Sequence, residues 1–160
     1  LDRSSAASDV YKRQMWMDVP YEPGEVKVVA YDASGKPAEE KVIRTAGKPH
    51  HLELVADRTR LSADGKDLAY ITVRVVDKDG NLCPADSRMV NFSVKGAGKY
   101  RAAANGDATS LDLFHLPKMP AFSGQLTAIV QSGEQAGEIV FEARAKGLKS
   151  GKLVLYTSEK

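Results

Sequence analysis

The chain has 160 residues, of which 42% are hydrophobic and 28% are charged, and its formal net charge is +2. This composition is typical of a globular protein and not of a disordered chain, and no apolar run approaches the roughly 20 residues that a membrane-spanning helix needs. Lysine and arginine (23) nearly balance aspartate and glutamate (21) without any basic block, which argues against nucleic acid as a partner.

The first fourteen residues, LDRSSAASDVYKRQ, have neither the positively charged start nor the apolar run of a secretory signal. Residues 1–14 are therefore predicted to be a non-native or disordered leader. From Met15 the pattern becomes that of β-strands, with EVKVVAYD, the turn DASGK and a second candidate strand, EEKVIRT. Two or three strands cannot bury a face alone, so residues 15–46 are predicted to be the tail of a truncated domain, followed by a linker at 47–50.

Residues 51–160 show a longer series of strand patterns. Apolar and polar residues alternate in HLELVAD, LAYITVRVVD, MVNFSVKG and EIVFEARA, whereas QLTAIVQS is apolar on both faces, as a central strand would be, and KLVLYT is the last strand pattern. Turn signals such as DKDGN and SGEQAG separate these runs. Seven or so antiparallel strands in about 100 residues predict an all-β, immunoglobulin-like β-sandwich.

The best candidate for an ion site is VDKDGNL, in which Asp77, Asp79 and Asn81 place oxygen ligands at alternate positions. A calcium-binding EF-hand loop needs glycine at its sixth position and a bidentate glutamate at its twelfth. Here glycine is fourth and the twelfth residue is Arg88. Because Asp-Gly between alternating runs is also a strong hairpin signal, the pattern favours a turn.

The histidines and the cysteine give no stronger metal site. On a strand, the adjacent His50 and His51 should point to opposite faces and so cannot share one metal, and His115 has no partner at a fixed spacing. Cys83 is the one cysteine, so an internal disulfide is excluded, and no cationic neighbour in sequence activates its thiol. We therefore predict no metal site and no cofactor.

The longest connection between strand patterns is ANGDATSLDLFHLPKMPAF, residues 104–122. It combines planar hydrogen-bonding side chains with aromatic ones, a mixture that suits contact with a sugar ring. The candidate carbohydrate-contacting residues are Asn105, Asp107, Phe114, His115 and Phe122. The alternative, which the pattern favours, is a turn followed by side chains that plug the core.

Several separated phrases carry a resemblance to a known family. They are WMDVPYEPGEVKVVAYD, then KVIRTAGKPHHLELVADRTRLSADGKDLAYITVRVVDKDGNLCP, and later ANGDATSLDLF and AFSGQLTAIVQS. With these phrases in this order, the chain from Met15 to about Lys149 resembles the C-terminal accessory region of a glycoside hydrolase family 2 enzyme of the β-galactosidase type. The resemblance implies that residues 15–46 end one immunoglobulin-like domain and that residues 51–160 form the C-terminal one.

The resemblance also implies a function for a longer parent protein. That parent would hydrolyse terminal β-galactosides or related β-glycosides with two glutamates on a TIM barrel, and a barrel needs roughly 250 residues. No residue here is therefore given a catalytic role. The resemblance implies a non-catalytic domain that packs against the barrel and preceding domains and shapes the cleft, in a periplasmic or extracellular enzyme. It allows a polysaccharide and a second copy of the parent as further partners.

Two other functions remain open from the sequence. The first is an independent carbohydrate-binding module that uses the connection at residues 104–122. The second is an adhesin or invasin-type bacterial immunoglobulin-like module, since ADGKDLAYITVRVVDKDGN also resembles the strand pattern of such modules. Adhesins of this type carry tandem copies, whereas this sequence contains one.

Overall fold

The computed structural model describes residues 20–159. The leader predicted at residues 1–14 lies outside the described residues. The chain forms two compact units that divide between Thr45 and Ala46. All regular structure within residues 20–159 is β, and no helix in this part of the chain has the length and apolar character required to cross a bilayer.

The strands follow the order of the sequence patterns. The first unit contains β1 (Glu25–Tyr31) and β2 (Pro37–Arg44). The second unit contains β3 (His51–Ala56), β4 (Arg60–Ser62), β5 (Leu68–Val76), β6 (Met89–Gly96), β7 (Gly98–Ala104), β8 (Lys118–Pro120), β9 (Gln125–Ser132), β10 (Gly137–Ala145) and β11 (Gly151–Ser158).

In the first unit, β1 and β2 form a two-stranded antiparallel sheet. Val26 pairs with Ile43 across the strands, and both side chains are exposed, as is that of Val28. An ion pair of 2.6 Å between Lys27 and Glu40 lies on the other face of the pair. The described hairpin thus exposes apolar side chains to solvent, as expected for a sheet too narrow to bury a face.

In the second unit, the strands form two sheets. The five-stranded sheet has the order β4-β11-β10-β6-β8, and the four-stranded sheet has the order β3-β5-β9-β7. Neighbouring strands are antiparallel except β4 and β11, which are parallel. The predicted all-β, immunoglobulin-like sandwich is therefore confirmed.

The core lies between the two sheets and follows the two-residue period of the strands. Every second residue of β5 is buried, namely Ala69, Ile71, Val73 and Val75, as the alternation predicts. From the opposite sheet, β10 contributes Ile139, Phe141 and Ala143. The centroid of the Phe92 ring lies 5.8 Å from that of the Phe141 ring and 5.8 Å from that of the Tyr100 ring. Because Tyr100 is on β7, its contact with Phe92 joins the two sheets.

Three strands were not predicted. β4 and β8 have only three residues each, and they are held by pairing with β11 and β6. β7 has the sequence GKYRAAA, which lacks a clear alternation, and a bulge between Tyr100 and Ala102 interrupts its register with β9. Pairing with an established neighbour, rather than local pattern, defines these strands.

The turn between β6 and β7 requires glycine. Gly96 has a φ of 95°, in the region that L side chains rarely adopt. A Cβ there would also collide with the carbonyl oxygen of Glu138. The passage of the chain from β6 in one sheet to β7 in the other therefore depends on the absence of a side chain at this position.

Two neighbouring substitutions on β10 test the two-residue period. Phe141→Ala removes a fully buried ring and should lower the free energy of unfolding by about 3–5 kcal/mol. Val140→Ala alters the half-buried outward face of the same strand and should cost less than about 1.5 kcal/mol. Urea unfolding followed by circular dichroism measures both, and equal losses would contradict the described orientation of β10.

Candidate functional site

The connection between β7 and β8, residues 105–117, joins the two sheets. β7 is the edge strand of the four-stranded sheet, and β8 is the edge strand of the five-stranded sheet. The candidate residues taken from the sequence lie in this connection or just after β8. The connection therefore crosses from one layer of the sandwich to the other.

Hydrogen bonds hold this connection against β7. The backbone N–H of Ala103 donates to the carbonyl oxygen of Phe114 at 2.8 Å. The hydroxyl of Tyr100 lies 2.6 Å from the carbonyl oxygen of Leu116 and 3.1 Å from that of Phe114. Burial raises the pKa of Tyr100 to about 12, so its hydroxyl stays protonated and can donate. The C-terminal end of the connection is thus fixed beside β7.

The polar candidates, Asn105 and Asp107, take part in the hydrogen bonding of the connection itself. Asn105 donates through Nδ2 to the carbonyl oxygen of Pro120 at 3.1 Å and accepts through Oδ1 from the N–H of Asp107 at 3.0 Å. Asp107 accepts through Oδ1 from the hydroxyl and the N–H of Thr109, at 2.7 and 2.9 Å. These bonds, the hydroxyl bond first, lower the pKa of Asp107.

The apolar candidates are exposed and do not plug the core. Phe114 is 57% exposed and Phe122 is 45% exposed, and His115 is exposed as well. The core side chains that this stretch supplies are Met119 and Ala121, as the alternative interpretation allows, and not the aromatic residues. Two residues that the sequence analysis did not select, Leu111 and Leu113, are also exposed, Leu111 to 96%.

The hydrogen bonds bring the ends of the connection together. Asn105 is hydrogen-bonded to Pro120, and Pro120 precedes Phe122 by two residues. Phe114 is hydrogen-bonded to Ala103. Because the amide and carboxylate groups described above are used within the connection, the surface it presents is mainly apolar. Such a surface can contact an apolar protein face or the face of a sugar ring.

The Asp77 segment forms a turn held by one carboxylate. Asp77 is only 2% exposed, and its Oδ1 accepts from the N–H of Asp79 and of Asn81, both at 2.9 Å. Its Oδ2 accepts from the N–H of Gly47 at 2.7 Å and from Nδ2 of Asn81 at 3.0 Å. These bonds, that of Gly47 first, hold the pKa of Asp77 far below its usual range.

The expectation that His50 and His51 point to opposite faces is wrong for their rings. Their Nδ1 atoms lie 3.0 Å apart, and the rings meet edge to face with centroids 5.2 Å apart. β3 begins at His51, so His50 lies before the strand, where the alternation of an extended chain does not apply.

Cys83 is buried in the core, and burial raises the pKa of its thiol, with the carboxylates of Asp77 and Asp86 adding to the effect. A thiol in this setting is a poor nucleophile. Within residues 20–159, no group of three or more His, Cys, Asp or Glu side chains is arranged to hold a metal ion.

Comparison with protein families gives two matches. Residues 52–154 match the model of the glycoside hydrolase family 2 C-terminal domain 5. Residues 2–39 match a domain of unknown function (DUF4982). The first match covers most of the second compact unit.

Individual relatives are similar over nearly the whole chain. A β-galactosidase of Bacteroides ovatus is 42% identical over 141 residues, which are 88% of this chain and 16% of that protein. A crystal structure of a glycosyl hydrolase family 2 member from Bacteroides cellulosilyticus has a TM-score of 0.81 and 30% identity, over 88% of this chain and 18% of that one. A β-glycosidase from Bacteroides vulgatus has a TM-score of 0.83 and 26% identity, over 90% and 19% of the two chains. The chain thus spans less than a fifth of the length of each of these proteins.

Substitution of Asp77 should lower the stability of the fold at neutral pH and have a smaller effect in acid. Because the folded-state pKa of Asp77 is depressed, its contribution is fully present above the unfolded-state value near 3.8 and is lost as the pH falls below it. Asp77→Asn replaces one accepting carboxylate oxygen by an NH₂ group among the backbone N–H groups that donate to Asp77. It should lower the Tm at neutral pH by roughly 5–10 °C. The difference from the unsubstituted chain should shrink as the pH falls below about 4.

Asp79→Asn is the matched control, because Asp79 lies in the same turn with an exposed side chain. Thermal unfolding at a series of pH values measures both variants. A difference between Asp77→Asn and the unsubstituted chain that stays constant down to low pH would contradict the role of the Asp77 carboxylate.

Proposed function

Because the chain belongs to glycoside hydrolase family 2, as a C-terminal accessory region of such enzymes, we propose that it is a non-catalytic domain that packs against other domains of a longer enzyme and shapes its cleft. The parent enzyme that we propose hydrolyses terminal β-galactosides or related β-glycosides. The Bacteroides relatives described above support this substrate class through their names, and they are several times longer than this chain.

The exposed apolar surface on the connection between β7 and β8 is the observation that carries the packing role. Leu111, Leu113 and Phe114 are all more than half exposed within four consecutive residues. The hydrogen bonds of Tyr100 hold the C-terminal end of this segment at Phe114 and Leu116, so that end is fixed before any partner binds. A pre-formed apolar surface loses little conformational freedom on docking, which favours a protein contact.

The distribution of hydrogen-bonding groups supports a packing role over a catalytic one. Asp107 and Asp77 have depressed pKa values and are ionised at neutral pH, whereas a general acid for glycoside hydrolysis needs a raised pKa. Both carboxylates accept hydrogen bonds from their own turns. They act as structural groups within the sandwich.

A chimeric enzyme tests the packing proposal. The matching region of the Bacteroides ovatus β-galactosidase is replaced by this chain, with and without the substitutions Leu111→Ser and Leu113→Ser together. The substituted chimera should unfold roughly 3–8 °C lower than the unsubstituted one, because a buried apolar contact is lost. The same two substitutions in the separate chain should change its stability by no more than about 0.5 kcal/mol, because both leucines are exposed there.

The double substitution Val55→Ser and Tyr70→Ser serves as the control, because these residues are exposed on strands β3 and β5 rather than on the connection. Thermal unfolding and hydrolysis of a chromogenic β-galactoside are measured for every protein. Equal behaviour of both double variants in the chimera would contradict the docking surface. Turnover by the separate chain, abolished by a point substitution in it, would contradict the non-catalytic role.

Carbohydrate contact by the same connection is a second candidate function. The exposed rings of Phe114 and Phe122 favour it, because an aromatic face can stack on a sugar ring. Under this function, Phe114→Ala should abolish retardation of the chain in a polysaccharide-containing native gel. Asn105→Ala and Asp107→Ala test the polar candidates in the same gel, and no retardation of the unsubstituted chain by any β-galactan tested would exclude the function.

A further inference from the structure

His50 and His51 bring two imidazole nitrogens together at the start of the second unit. Their Nδ1 atoms are 3.0 Å apart, a distance at which one neutral ring with its hydrogen on Nδ1 can donate to the lone pair of the other. The rings stand nearly perpendicular, with an interplanar angle of 89°. This places the two nitrogens side by side while the rest of each ring diverges.

The backbone on both sides of this pair is fixed. The N–H of His50 donates to the carbonyl oxygen of Val76 at 2.8 Å, and the carbonyl oxygen of His50 accepts from the N–H of Lys149 at 3.1 Å. His51 pairs with Val76 in the antiparallel ladder of β3 and β5 and forms a parallel bridge with Lys149. Both histidine side chains are half-buried. The two rings are therefore attached to rigid chain segments.

The separation of the nitrogens matches that of two ligands on one metal ion. Imidazole nitrogens bind first-row transition metals at about 2.0–2.1 Å. At that bond length, two nitrogens 3.0 Å apart subtend an angle of about 95° at the metal. This is the angle between neighbouring ligands in square-planar or octahedral geometry, and a tetrahedral zinc site would need a wider one.

We propose that His50 and His51 form a binding site for a divalent transition metal ion of tetragonal or octahedral preference, Ni²⁺ or Cu²⁺. The two Nδ1 atoms occupy neighbouring coordination positions, and water fills the others. Imidazole suits both ions, and Cu²⁺ binds nitrogen sites more tightly than Ni²⁺.

Binding needs both Nδ1 atoms free of hydrogen. The hydrogen atom between the two Nδ1 atoms moves to Nε2 of the ring that donated it, so each Nδ1 has a free lone pair for the metal. Both rings are then neutral with a hydrogen on Nε2. Binding stabilises the folded unit, since the fold holds the two Nδ1 atoms 3.0 Å apart and an unfolded chain does not.

Titration of the tag-free chain with NiCl₂, followed by isothermal calorimetry, tests the site. We expect one Ni²⁺ per chain. Loss of a partner that only orients a metal ligand costs about 10–100-fold in metal affinity. Loss of a ligand itself should cost at least about tenfold, so we expect that decrease in Ni²⁺ affinity in His50→Gln and in His51→Gln. His115→Gln is the matched control, because His115 is exposed on the distant connection, and it should leave the affinity unchanged.

Paramagnetic NMR tests the same proposal without substitution, in case a variant fails to fold. Substoichiometric Cu²⁺ should broaden the ring signals of His50 and His51 together and leave those of His115 sharp. Equal broadening of all three rings would overturn the proposal. So would unchanged Ni²⁺ affinity in both glutamine variants, or tighter binding of Zn²⁺ than of Ni²⁺.

Discussion

Burial of alternate side chains between two sheets is the constraint on which the second unit depends. Strands β5 and β9 from one sheet and β6 and β10 from the other direct every second residue inward. Phe141, the largest fully buried side chain, stacks on Phe92. Side chains on the outer faces and in the connections are left for other roles. This explains why the candidate functional residues lie in a connection between edge strands and not inside the sandwich.

Two polar contacts between distant segments determine how the rest of the second unit attaches to that core. The carboxylate of Asp77 binds the N–H of Gly47, thirty residues earlier, and so fixes where the second unit begins. The hydroxyl of Tyr100 lies against the carbonyl oxygens of Phe114 and Leu116, and so fixes the path of the connection after β7. Both are hydrogen bonds to the main chain, and breaking either would leave polar groups without partners in a partly buried site.

Strands with a clear two-residue period were predictable from the sequence, and β9 was predicted with its observed bounds, Gln125–Ser132. β4, β7 and β8 were not, because three residues carry no period and the alanines of β7 carry little strand preference. The sandwich itself followed from the number and spacing of the other strands. Each of these three strands forms because it pairs with a neighbouring strand, and the local sequence pattern does not reveal that pairing.

The candidate site was less predictable than the fold. The sequence indicated the connection at residues 104–122 as the candidate, but it could not show that Asn105 and Asp107 would bond within it. Leu111 and Leu113 were not selected because the pattern expected for a sugar contact includes planar polar and aromatic side chains but not aliphatic ones. The convergence of His50 and His51 was missed because the alternation of a strand was assumed to include His50, which lies one residue before the start of β3.

The chemistry of the described side chains favours action through surfaces. The carboxylates with depressed pKa values hold turns together, and the thiol of Cys83 is buried with a raised pKa. In contrast, apolar side chains are exposed on elements whose backbone is already hydrogen-bonded: Val26 and Ile43 on the hairpin of the first unit, and Leu111 on the connection in the second. An exposed apolar side chain on a fixed backbone gains free energy only when another surface covers it. Under the function proposed above, a domain with these properties would contribute to an enzyme by binding its neighbours in a defined arrangement, and the reactive groups would belong to those neighbours.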